Sequence, residues 1–213
     1  QLNTIILAAE GPNILKKDLP ACLQQMKGGT TLLDYQIRTL NLCGIESRNI
    51  YIVIGKQGIW GKKNSIKFLK KYTHENLIFN YQNETTNSAD SFLIALEKID
   101  LNLPTVVING DIFFDVFHLE KIFKNLEKNI IFTKLAYSIN EKGIKLKTKI
   151  TKFENIIEKT SLSDFPWNIY AGLTLLKSST IKIIKKDKYS KNIKSFIHLP
   201  VSYTHLTLPT SSW

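Results

Sequence analysis

Arginine is almost missing from this chain, cysteine is scarce, and no apolar run is long. Only Arg38 and Arg48 stand among 29 basic residues, whereas proteins that read base edges or grip phosphates bidentately favour the planar guanidinium. The net charge of +11 is therefore a poor argument for a nucleic-acid partner. Lys, Ile and Asn are together what AT-rich codons encode. The basic stretches, Lys62-Lys63 through Lys70-Lys71 and Ile181 to Lys194, interleave with apolar residues at helical spacing and read as solvated helix faces. Two cysteines, Cys22 and Cys43, exclude a disulfide framework and a four-cysteine zinc site. They read as reduced, buried small hydrophobes. No run approaches the roughly 20 apolar residues of a membrane-spanning helix, and Leu2 to Ala9 is too short and too unlike a signal peptide. The expected location is the cytoplasm.

What is present is ordinary for a globular protein. The 213 residues are 43% hydrophobic and 22% charged, with eleven Phe, eight Tyr and three Trp, enough to build one core in one domain. That domain is expected over residues 1–200. Gln1 is not an initiator, and strand-like sequence starts directly after it, so at most a very short leader is expected to be missing. From Val201 the chain reads VSYTHLTLPTSSW, without Lys, Asp or Glu, directly after a lysine-rich stretch. This abrupt change resembles the read-through translation of a sequencing adapter, and residues 201–213 are expected to be a non-native tail.

Apolar runs alternate with amphipathic stretches through the first two thirds, the pattern of an α/β domain with a largely parallel sheet. Strands are expected at Leu2–Ala9, Asn49–Gly55, Leu77–Phe79 and Thr105–Asn109. Leu33, Ile37 and Leu40 mark one helix face that stops near Gly44. Further helices are expected around Ser65–Tyr72, at Ala89–Lys98 with Phe92, Leu96 and Ile99 on one face, and around Leu119, Ile122, Phe123 and Leu126. Strands then follow at about Ile130–Ser138, Lys149–Phe153 and Ile169–Leu176, before a last helix near Ser179–Lys185.

In open α/β sheets ligands bind beyond the carboxyl ends of the strands. Three segments there carry polar or small residues. Leu7, Ala8, Ala9, Glu10 and Gly11 run on to Asp18 through Leu23, where small side chains let backbone approach a phosphate and exposed N–H groups can cradle an anion. Asn83 to Ala89 is a polar loop at a helix start; Asn87 or Ser88 there is either an N-cap or part of a site. Val106 to Asp111 is an apolar strand that delivers a carboxylate at its end. Asp111 is either an ordinary turn residue or the hard oxygen ligand that Mg²⁺ bridging nucleotide phosphates requires.

In this order, LNTIILAAEG, KDLPACLQQMKGGTTLLDYQIRTLNLCGI, ETTNSADSFLIAL and VVINGDIFFDVFHLEKI resemble the nucleotidylyltransferase superfamily, whose members activate sugar 1-phosphates and alcohol phosphates. ITKFENIIEKTSLSDFPWNIYAGLTLL looks like that family's substrate-side strands, and the resemblance covers about Leu2 to Leu176. It implies a Rossmann-like three-layer α/β/α fold with a mostly parallel central sheet, and a transferase that binds a nucleoside triphosphate and a phosphorylated small molecule. It further implies Asp111 as the Mg²⁺ ligand, with Gly110 before it. Leu7, Ala8, Ala9 and Gly11 would line the nucleotide, with Thr86, Asn87 and Ser88 near base and ribose. Lys159, in the Glu158-Lys159 pair, would meet the second substrate's phosphate, or is a solvated loop lysine; Gly172 would border that pocket. Such enzymes serve nucleotide-sugar and cell-surface polysaccharide synthesis.

The chain departs from the pattern in its first loop. Glu10 replaces a glycine, the loop is shorter, no Arg occurs in it, and Ala21 stands where the family has lysine. Lys16 and Lys17 are the cations left to replace them. The Asn-Gly-Asp strand with Glu158-Lys159 favours a sugar 1-phosphate acceptor, and the Thr-Thr-Asn-Ser loop favours an alcohol phosphate such as phosphocholine activated by CTP. A non-catalytic nucleotide or nucleotide-sugar sensor is the alternative from a different class.

Overall fold

In the computed structural model, residues 1–9, 19–56, 58–72, 77–136, 142, 144–149, 152–156, 168–187 and 195–197 are described. The strands are β1 (Asn3–Leu7), β2 (Ile50–Gly55), β3 (Leu77–Asn80), β4 (Thr105–Asn109), β5 (Ile130–Leu135), β6 (Lys145–Lys149), β7 (Lys152–Ile156) and β8 (Asn168–Leu176). The helices are α1 (Leu32–Leu42), α2 (Lys63–Leu69), α3 (Ser88–Ala95), α4 (Val116–Phe123) and α5 (Ser178–Lys186). Among the described residues no helix is long and apolar enough to cross a membrane.

All eight strands join one mixed sheet in the order β3-β2-β1-β4-β8-β6-β7, with β5 on the other edge of β8. The first four run parallel. β8 pairs antiparallel with β4 through Leu173–Leu176 and with β6 through Asn168 and Ile169, so two strands share one edge of it at different ends. Strand alternation sorts the central side chains onto two faces. Ile6, Ile52, Ile54, Val106 and Ile108 pack with Leu33 and Leu40 of α1 and Leu119 and Ile122 of α4. Ile5, Leu7, Val53 and Val107 pack with Ala89, Phe92 and Ala95 of α3 and Ile181 and Ile184 of α5. This is the expected α/β/α layering, and burial on both faces explains why β1, β2 and β4 read as continuous apolar runs.

The element boundaries agree closely with the sequence in the parallel half. One strand does not. The single strand expected over Lys149–Phe153 is two: β6 ends at Lys149, β7 begins at Lys152, and they pair antiparallel. The expected lysine-rich helices are present as α2 and α5, and α5 buries Ile181 and Ile184 while Lys182 and Lys186 face out. The two cysteines are not joined: Cys22 is buried and Cys43 half-buried. Residues 201–213 lie outside the described residues.

Candidate functional site

The ends of β1 and β4 and the start of α3 meet around a cleft of about 200 Å³. Leu7, Ala8 and Ala9 come from the end of β1, Asn109, Gly110 and Asp111 from the end of β4, and Thr86, Asn87 and Ser88 from the turn into α3. Parts of all three segments singled out in the sequence are thereby gathered in one place. Ala21 and Cys22, from the far end of the first segment, and Ser91 complete the wall; of these only Ser91 is not singled out by the sequence, because its place inside a helix carries no chemical signal.

The small residues at the strand ends answer a packing demand. A Cβ on Gly110 would lie 2.9 Å from both Cα and Cβ of Ala8, closer than real side chains come, so the ends of β1 and β4 can touch only if this residue has no side chain. The Gly110 N–H donates to Leu7 O at 2.8 Å and the Ala8 N–H to Val53 O at 2.8 Å. These two amides extend the sheet, so Ala8 and Gly110 offer shape and not N–H donors; residues 10–18 of the expected anion cradle lie outside the described residues. Just beyond Gly110 the Asp111 side chain is exposed.

The turn into α3 is organised before any ligand arrives. Asn87 is the N-cap: its side-chain oxygen accepts from the Ala89 N–H at 2.7 Å and from Asp90, while the Asp90 carboxylate accepts from the Asn87 N–H at 2.9 Å. This reciprocal box satisfies helix N–H groups that would otherwise be orphaned. Thr86 donates its hydroxyl to Gln82 O at 2.8 Å and accepts from the Asn80 side chain at 2.8 Å. The Ser88 hydroxyl accepts the Phe196 N–H at 2.8 Å, and Phe196 packs edge-on against Phe92 of α3 at 4.8 Å between ring centres. The cap reading of Asn87 therefore holds, and the same residue lines the cleft.

Gly172 sits in β8 with φ +83°, and a Cβ there would lie 2.6 Å from Ile112 Cγ2 and 3.2 Å from Asn109 Nδ2. It marks the irregularity where Ile131 and Thr133 of β5 pair with Thr174 and Tyr170, leaving extra β8 residues between them. Gly172 thus abuts the turn that carries Asp111. Two residues away, Tyr170 accepts a hydrogen bond from Thr174 at 3.0 Å. Burial foremost raises the Tyr170 phenol above its ordinary range, the Thr174 bond opposes this, and the charge of Asp111 adds to the rise. Glu10, Gly11, Lys16, Lys17, Glu158 and Lys159 lie outside the described residues.

No family model matches the chain, and no curated protein matches it in sequence. Solved structures do. The CTP:phosphocholine cytidylyltransferase LicC of Streptococcus pneumoniae is similar with a TM-score of 0.72 at 20% identity, covering 98% of this chain and 89% of that one. A Bacillus anthracis protein assigned as a glucose-1-phosphate thymidylyltransferase reaches 0.71 at 20% identity, over 100% of this chain and 88% of its own. The inositol-1-phosphate CTP transferase of T. maritima reaches 0.72 at 16% identity, over 97% and 84%. The chain therefore has the nucleotidylyltransferase fold.

Proposed function

We propose that the chain is a nucleotidylyltransferase that moves a nucleoside monophosphate from a nucleoside triphosphate onto a sugar 1-phosphate. The observation that carries this reading is the meeting of Leu7–Ala9, Thr86–Ser88 and the exposed Asp111 around one cleft at the carboxyl edge of the parallel strands. A phosphate oxygen of the acceptor attacks the α-phosphorus. The new P–O bond forms as the bond to the bridging oxygen of the β-phosphate breaks, and pyrophosphate leaves with that electron pair. Such transfer depends on positioning and charge neutralisation.

Asp111 is the residue that would hold Mg²⁺, which when bound neutralises phosphate charge. Among the described residues no group of three or more His, Cys, Asp or Glu gathers to hold a metal. One exposed carboxylate still fits Mg²⁺, which takes one or two carboxylates and completes its shell with phosphate oxygens and water. Leu7, Ala8 and Ala9 form a wall for the nucleotide, with Gly11 in the loop that follows, and Thr86, Asn87 and Ser88 border the base and ribose. Ala21 brings a methyl group where a cation is expected, so Lys16 and Lys17 are assigned to the triphosphate. Lys159, paired in sequence with Glu158, is assigned to the acceptor phosphate, on the side bordered by Gly172.

The second reading, a cytidylyltransferase for an alcohol phosphate, is supported by the likeness to a CTP:phosphocholine cytidylyltransferase and an inositol-1-phosphate CTP transferase. One experiment ranks the readings. The full chain is melted with ATP, CTP, GTP, UTP and dTTP, each with and without Mg²⁺; binding to the native state alone raises the melting temperature by mass action. The expected result is a Mg²⁺-dependent shift for one nucleotide, and release of pyrophosphate when that nucleotide is mixed with glucose 1-phosphate but not with phosphocholine. Release with phosphocholine selects the second reading. A shift with no pyrophosphate from any sugar 1-phosphate or alcohol phosphate selects a sensor, and no shift at all defeats the nucleotide site.

A further inference from the structure

We propose that Gln36 is a positioning residue for Asp111, an inference that rests on the nucleotidylyltransferase reading above. Its place on α1 is the anomaly. Leu33, Ile37 and Leu40 on that face pack into the core, and a side chain at the neighbouring inward position would ordinarily be apolar. Gln36 is instead a polar side chain with 0% exposure. Its amide Nε2 donates to Asn109 O at 3.1 Å and to Ile112 O at 2.8 Å. These two carbonyls bracket Asp111.

The turn they belong to is poorly closed by its own backbone: the Ile112 N–H reaches Asn109 O at 3.4 Å. Gln36 supplies the missing cross-brace. The amide's other atom, Oε1, is buried without a hydrogen-bond partner, so the residue carries a desolvation cost that a leucine would avoid. The cost is understandable if both N–H bonds are needed where they go. Other contacts grip the same turn. Phe113 stacks on Tyr35 of α1 with ring centres 4.0 Å apart, and Gly172 closes on Asn109 and Ile112 from β8. Because the Asp111 side chain is exposed, its direction is set by this backbone turn, and the hydrogen bonds that hold the turn from outside come from Gln36 of α1. An unbraced turn displaces the carboxylate from the phosphates it must face, and misplacements of about 1 Å can cost on the order of 100-fold in rate.

The test uses the full chain and Gln36→Met, which keeps length and helix propensity but donates nothing. Mg²⁺ is titrated at fixed CTP, and in parallel at fixed ATP, GTP, UTP and dTTP, and nucleotide binding is followed by thermal shift. The Mg²⁺ concentration for half-maximal binding should rise about tenfold, as expected when a brace worth one or two hydrogen bonds is lost. Affinity for the same nucleotide without Mg²⁺ should stay within about twofold. A Gln36 that only supports the fold would lower the melting temperature of the unliganded protein and leave the Mg²⁺ half-point unchanged, which overturns the proposal. If Gln36→Met does not fold, Gln36→Glu replaces it; as a protonated acid it retains one donor, so its Mg²⁺ half-point should also rise, by less, and an unchanged value overturns the proposal. A wild-type chain that binds none of the five nucleotides more tightly with Mg²⁺ defeats the nucleotide site itself, whereas a wild-type response left intact in both variants removes only the role of Gln36.

Discussion

The two halves of the sheet solve different problems. On the β3-β2-β1-β4 side all strands run the same way, so their carboxyl ends open on one edge and their loops converge there. On the β8 side the strands alternate in direction, and no single edge collects loops. β8 meets the turn that carries Asp111 from its middle, at Gly172, where the ladder is irregular and the left-handed backbone lets the strand close on residues 109–112. The parallel half makes a site by topology, whereas the antiparallel half contributes by a local distortion. Failure of the first should abolish function, and failure of the second should strain the fold.

Asp111→Asn sharpens this contrast most. The side chain is exposed, so the melting temperature should barely move, while pyrophosphate release should fall by about 100- to 1,000-fold if the carboxylate neutralises transition-state charge through its cation. A drop below about tenfold would break the assignment of Asp111. Next come the two glycines. Gly110→Ala places a methyl 2.9 Å from the backbone of Ala8, and overpacking of this kind costs about 1–3 kcal/mol. Gly172→Ala meets a side chain, Ile112, but adds a backbone at φ +83°, costing roughly another 1 kcal/mol. Urea denaturation of the pair decides whether topology or distortion is the tighter constraint; Gly172→Ala losing less than Gly110→Ala would reverse the expected order.

The smallest effect lies away from both. Burial opposes ionisation of Asp34, but hydrogen bonds from Lys71 at 2.6 Å, from Thr31 and from Tyr72 at 2.8 Å outweigh it and hold the carboxyl below its ordinary value of 3.8. A depressed folded-state value stabilises the native protein above the unfolded value, and that stability is lost as pH falls through the folded one. Wild type should therefore lose urea resistance more steeply than Asp34→Asn between about pH 5 and pH 2. Equal slopes would show that the bonds from Lys71, Thr31 and Tyr72 together do no more than offset the burial of Asp34.

Legibility in the sequence followed the same divide. β1, β2 and β4 are buried on both faces, so their apolar runs announced them, and the segments beyond their ends pointed to Leu7–Ala9, Thr86–Ser88 and Asp111. β6 and β7 read as one strand in the sequence because Lys145 to Ile156 mixes lysines with isolated apolar residues and has no run to mark its ends. The sequence leaves Asn87 open between cap and site, since a cap and a cleft wall use the same amide. Gln36 went unnoticed, although the signal was present: a polar residue inside the Leu33, Ile37, Leu40 stripe. What sequence could not supply was the partner, because carbonyls at 109 and 112 have no side-chain signature.

The position of β8 also bears on how the chain is made. β4 receives its outer partner only from Leu173–Leu176, which a ribosome delivers after β5, β6 and β7. Until then Val106, Val107 and Ile108 border an open edge of unpaired amides and carbonyls, the kind of template on which other chains add strands. The interval between synthesis of β4 and arrival of β8 therefore leaves a growing chain with an open strand edge, and a pause in translation there would lengthen it.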